Sequence, residues 1–160
     1  MKNYKIFFIM LINILLQGTL LQQFRIHGIM PNTNLILIVI FSILLGRKEG
    51  IIAAVIGGFF QDLLFGRAMG INILIYLIIA YLVSSIERKV FKENVITPLI
   101  LFILSTLSYH LLYFIIFYFF RYQFSFIDVV TNIVGVEMIY NIIVGLLMYK
   151  IALNRTLYTY

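Results

Sequence analysis

The chain has 160 residues, 63% of them hydrophobic and 11% charged, with a mean hydropathy of +1.08. A soluble domain is about 45–50% apolar and about 25% charged, so lipid is the expected surround. The formal charge of +6 lies on no basic run suited to nucleic acid, and the lack of cysteine excludes disulfides, thiolate nucleophiles and cysteine metal sites.

Six hydrophobic segments follow one another at 5–24, 33–46, 50–65, 71–86, 95–120 and 129–152. They predict an all-α membrane protein, a bundle of about six transmembrane helices forming one integral domain over 1–160. The first segment could pass for a signal peptide, but no small-x-small cleavage site follows it and more apolar segments come after. It therefore reads as a span, with Asn13 and Gln17 four residues apart on one face. A helix needs about 20 apolar residues to cross about 30 Å of hydrocarbon. The second and third segments are short, and Arg47-Lys48-Glu49-Gly50 splits them. They are expected either to span a locally thinned bilayer or to form an irregular, partly re-entrant hairpin.

The third segment repeats small residues at four-residue spacing: Ala53 and Gly57, Ala54 and Gly58, then Gly66 and Gly70. Helices in lipid associate by close backbone approach, and such faces permit it. Gly66 and Gly70 flank Arg67 and suit the turn into the fourth span. Asp62 continues the Ala54–Gly58 stripe and is expected to face the packed interior. The fourth segment lines one face with Asn72, Tyr76, Ala80 and Ser84, and the sixth with Glu137, Asn141 and Gly145. Polar side chains at membrane depth seek protein partners, so these stripes point into the bundle. Between the fourth and fifth segments, the hydrophilic stretch Glu87–Asn94 is expected to be a solvated cytoplasmic loop or a docking site for a cytoplasmic partner.

Charge sets the topology. With a cytoplasmic N-terminus, Lys2, Lys5, Arg47, Lys48, Arg88, Lys89, Lys92, Lys150 and Arg155 lie inside, and only Arg25, Arg67 and Arg121 lie outside. The positive-inside rule applies to such short loops. An even number of spans, with both termini cytoplasmic, keeps Lys150 and Arg155 inside. Tyr118, Tyr122 and Phe124 suit an interfacial aromatic belt at the outer end of the fifth span.

Ionisable residues at membrane depth are costly and suggest function. At 1.5 Å per residue, Asp62, His110 and Glu137 come out at similar depth, and at least two are expected in one polar cluster in the bundle centre. Plainer roles stand beside this. Asp62 can cap a helix end or turn. His110 can be an interior histidine bonded to a neighbouring hydroxyl. Glu137 can bond Asn141 or Tyr140. Catalysis has little support: HExxH, GxSxG, paired aspartates and a glycine-rich phosphate loop with lysine are all missing. His27 and His110 share no metal-ligand spacing, and no cofactor is expected.

Along nearly its whole length the chain resembles the MreD family of rod shape-determining proteins. The resemblance rests on Pro31-Asn32, on the run Gly57-Gly58-Phe-Phe-Gln-Asp62-Leu-Leu-Phe-Gly66, on Gly70-Ile-Asn72, and on Tyr76 and Tyr81. Ile73 stands where the family usually has Ala, and Asn32 where it commonly has Asp. The resemblance implies a membrane scaffold or regulator of the cell-elongation machinery without chemistry of its own. It implies MreC and MreB as partners, with the peptidoglycan synthase pair of RodA and a class B penicillin-binding protein. It also implies a helical arrangement like that of the substrate-binding subunits of energy-coupling-factor transporters. A rival function follows from that likeness: a transporter subunit whose cavity is lined by Asn72, Tyr76, His110, Glu137 and Asn141. An intramembrane enzyme would have only Asp62, His110 and Glu137 to work with.

Overall fold

The computed structural model describes residues 3–26, 28–66, 68–87, 96–120 and 135–157. Among them are six α-helices: α1 (Asn3–Gly18), α2 (Thr33–Leu44), α3 (Arg47–Phe65), α4 (Ile71–Glu87), α5 (Ile96–Phe119) and α6 (Gly135–Leu157). A single 3-10 turn, Leu21–Phe24, follows α1. Two stretches, Ile96–Phe119 and Gly135–Asn154, are long and apolar enough to cross a membrane.

The centre of the bundle is its shortest helix. All twelve residues of α2 are buried. Around it stand α1, α3, α4, α5 and α6, each touching α2 and each touching the next in that order. The outward faces are apolar: Val55, Phe59 and Leu63 on α3, Ile100, Leu104, Leu107 and Leu111 on α5, Ile139, Ile143 and Leu147 on α6 are all exposed. Apolar residues outside and polar residues inside is the arrangement expected of helices in lipid.

The element boundaries correct the sequence in several places. The break between the second and third segments is at Leu45-Gly46, not at Arg47–Gly50, which forms the first turn of α3. The reason is local. Gly46 has φ of 99°, a left-handed conformation that glycine adopts without a Cβ penalty. The N–H groups of Leu45 and Gly46 both reach back to Phe41 O (3.0 and 3.2 Å), which ends α2. The first segment is also shorter as a helix than expected. It stops at Gly18, where Thr19 Oγ1 donates to Leu15 O at 2.7 Å. The last helix runs on to Leu157; residues 129–134, expected to open it, lie outside the described residues, as do Arg67, Arg88, Lys89, Lys92, Arg121, Tyr122 and Phe124 and most of the 87–94 loop.

Close approach rather than bulk holds the hairpin of α3 and α4. A Cβ on Gly58 would stand 2.5 Å from Ile73 Cα and 2.7 Å from its N. Gly57 instead faces the methyl end of Met10 on α1, and Gly50 sits under the Ser42 hydroxyl of α2. Ala53, Ala54, Gly57 and Gly58 are all buried, so the small-residue face of α3 is used within the chain.

Candidate functional site

The buried polar side chains gather at the end of the bundle where α1, α3 and α5 finish and α2, α4 and α6 begin. Asp62 is three residues from the end of α3, Asn72 is the second residue of α4, Asn34 the second of α2 and Glu137 the third of α6. The cluster therefore lies nearer one end than the centre where the sequence placed it. The cause is that helix starts carry N–H groups with no acceptor in their own helix. Three helices begin here inside an apolar bundle, and each N–H needs an oxygen.

Asp62 supplies the oxygens for α4. Its Oδ2 accepts from Gly70 N (2.8 Å) and Ile73 N (3.3 Å), and its Oδ1 from Asn72 N (3.0 Å) and Asn72 Nδ2 (2.8 Å). The carboxylate, only 3% exposed, thus caps the start of the neighbouring helix, where the helix dipole favours a negative group. Gly66 and Gly70 make the intervening turn. Gly70 has φ of 96°; Gly66 is extended, but a Cβ there would press on Asp62 backbone atoms at 2.6–2.7 Å.

Asn32 does the same for α2. Its Oδ1 accepts from Leu35 N (3.1 Å) and from the fully buried Tyr76 hydroxyl (3.0 Å), while its own N–H donates to Asn141 Oδ1 (2.8 Å). Asn141 Nδ2 in turn donates to Thr106 Oγ1 (3.0 Å). Tyr76 is five residues into α4 and Asn141 six into α6, so α2 starts about 8–9 Å below the starts of its neighbours.

Two further connections close the network. Asn13 Nδ2 donates to Asn34 Oδ1, and Asn34 Nδ2 to Gln61 Oε1, both at 2.6 Å, tying α1, α2 and α3. His110 Nε2 lies 3.0 Å from Glu137 Oε2, tying α5 to α6. Asp62 is not bonded to that pair. It is joined to it through Asn72, whose Oδ1 accepts from Tyr109 OH at 2.8 Å, and through the edge-on contact of the Tyr109 and His110 rings at 5.4 Å. His110 therefore has a carboxyl partner rather than the hydroxyl expected for it. Glu137 bonds His110 rather than Asn141 or Tyr140; Tyr140 OH donates to Phe24 O at 2.7 Å. The sequence also did not single out Asn34, Gln61, Thr106 or Tyr109. Asn34 and Gln61 were legible as polar residues within apolar segments, but each lacked a same-face polar neighbour to mark it.

At the opposite end Arg47 lies over the Tyr81 ring, 4.7 Å from its centroid, and donates to Ser85 Oγ at 3.0 Å. A cation held on an aromatic face at a helix start fixes α3 against α4 there. Among the described residues no three His, Cys, Asp or Glu side chains come together as a metal site. Asn72, Tyr76, His110, Glu137 and Asn141, the expected lining of a ligand cavity, each bond another side chain of the network.

These features define a class: a helical bundle with an apolar outside, whose internal polar groups serve to cap and cross-link its own helices. Residues 2–155 match the family described as rod shape-determining protein MreD, and the chain belongs to that family. A role in rod shape determination, in association with the MreB and MreC shape system, follows from that membership, and the family is not a known enzyme family. No curated relative and no solved structure matches the chain.

Proposed function

We infer that this protein is a non-enzymatic multi-pass scaffold of the bacterial cell membrane that regulates lateral peptidoglycan synthesis during elongation. The whole chain acts as one integral domain, with six crossings and both termini cytoplasmic. Its direct partner is an MreC-like protein, and through it MreB, RodA and a class B penicillin-binding protein. In this reading the bundle resembles energy-coupling-factor substrate-binding subunits in arrangement but not in function.

The observation that supports this most is the mutual satisfaction of the polar network. Asp62, Asn72 and Tyr109 bond one another, as do Tyr76, Asn32, Asn141 and Thr106, and the stacked rings of Tyr76 and Tyr109 at 5.6 Å join the two sets, which suits a rigid support better than a binding cavity. Asp62, Gly58 and their neighbours then act indirectly, by holding the helices whose outer faces and ends meet partners.

Depletion of the protein from its host, with capture of the detergent-solubilised protein, tests this. Rounded or swollen cells and co-purification of an MreC-like protein are the expected outcomes. Normal rods, together with a small molecule retained in the purified protein, would move the function to the transporter subunit.

A further inference from the structure

The outer walls of the bundle differ in height. On α3 the apolar surface is confined to Ile51–Phe65, about 22 Å. Exposed Arg47 and Lys48 bound it at one end and the Gly66–Gly70 turn at the other. Next to it α1 has 16 residues, about 24 Å. A tilted phenyl contact joins the two, Phe7 to Phe60 at 5.8 Å, flanked by edge-on contacts within each helix, Phe7 to Phe8 at 5.8 Å and Phe59 to Phe60 at 5.7 Å. By contrast α5 is a predominantly apolar helix of 24 residues, about 36 Å. It touches α2, α4 and α6, and among the described residues it touches neither α1 nor α3. The short and tall walls therefore face away from each other across α2.

A typical hydrocarbon core is about 30 Å thick. A helix that is too long can tilt, but a wall that is too short needs the bilayer to thin or cations to snorkel. The α3 wall is fixed by its hairpin with α4: Gly58 lies against Ile73 backbone, and Asp62 caps α4. It has little freedom to lengthen.

We propose that the α1–α3 wall is a binding surface for phospholipids with short acyl chains, so that the protein thins the bilayer on that side only. The thinned annulus favours membrane of matching thickness and gives the bundle a lateral polarity that its sequence of helices alone does not. This rests on the multi-pass reading given above, and its test separates the two.

The chain has no tryptophan, so a single one reports its own surroundings. Phe59→Trp places the reporter at mid-height on the short wall and Leu107→Trp at mid-height on the tall one; both positions are exposed. Each variant is reconstituted with brominated phosphatidylcholine in competition with chains of roughly 14, 18 and 22 carbons. The expected result is that, at Phe59→Trp, the shortest chain displaces the quencher roughly two-fold better than the 18-carbon chain, with no such preference at Leu107→Trp. Equal preference at both positions, or a long-chain preference at Phe59→Trp, overturns the proposal. Quenching at Leu107→Trp alone also overturns it, because a second copy of the chain then covers the short wall. Quenching at neither, with protein released from the vesicles by alkaline washing, refutes the multi-pass reading itself.

Discussion

At the scale of single residues, two side chains carry helix starts: Asp62 that of the next helix and Asn32 that of its own. Asp62 is the stronger. Asp62→Ala strips acceptors from three backbone N–H groups and one side-chain amide in a site 3% exposed. The loss is expected to be about 2–4 kcal/mol, since charged caps and buried unpaired donors each cost on the order of 1–3. Asp62→Asn keeps one acceptor but turns an amide donor towards N–H groups, so it is expected to recover only part of this. Thermal unfolding in detergent checks both, and an Asp62→Ala midpoint equal to wild type would refute the capping role. Asn32 gives a sharper contrast. Asn32→Asp retains both acceptor contacts, to Leu35 N and Tyr76 OH, and puts negative charge at the start of α2. It is expected to unfold well above Asn32→Ala, which leaves the Tyr76 hydroxyl buried without its acceptor at a cost of about 1–3 kcal/mol. The opposite order would show that the amide of Asn32 matters more than its oxygen.

At the scale of elements, glycines that look equivalent in the sequence are not equivalent in the fold. Gly57 and Gly58 are adjacent in one small-residue run. A Cβ on Gly57 meets the flexible end of Met10, which can swing aside, whereas a Cβ on Gly58 meets Ile73 backbone at 2.5 Å. Gly57→Ala is therefore expected to cost under about 1 kcal/mol and Gly58→Ala about 2–3 kcal/mol, because backbone cannot move without parting α3 from α4. Equal unfolding midpoints for the two would contradict this packing. The same comparison marks what was legible in the sequence. Periodicity at four residues put Asn72, Tyr76, Ala80 and Ser84 on one buried face of α4, and Glu137, Asn141 and Gly145 on one buried face of α6. It could not say which helix each face meets, since that depends on contacts far apart in sequence, such as Asn32 with Asn141. Nor did it find the Gly46 stop. There the charged run beside it was the louder signal, although it is the positive φ of Gly46 that ends α2.

At the scale of the whole molecule, the network fixes how the helices alternate. Asn13, late in α1, bonds Asn34 at the start of α2; Asp62, late in α3, caps the start of α4; His110, in the later half of α5, meets Glu137 at the start of α6. Each helix therefore runs opposite to the one before it, and the start of α1 and the end of α6 share the end remote from the network. Exposed Lys5, Arg47, Lys48 and Lys150 lie towards that remote end, and exposed Arg25 lies at the other. If the bundle crosses a membrane, the positive-inside rule orients the remote end to the cytoplasm. Because the chain has no cysteine, single substitutions can test this directly. Asn3, Met69 and Asn154 are all exposed, and Met69 lies in the turn at the network end. A membrane-impermeant maleimide is expected to label Met69→Cys in intact cells, and Asn3→Cys and Asn154→Cys only after permeabilisation. Labelling of Asn154→Cys in intact cells while Asn3→Cys stays protected would require an odd number of crossings. In that case α2, only 12 residues long and wrapped on every side, would be the helix that begins and ends within the bundle without crossing.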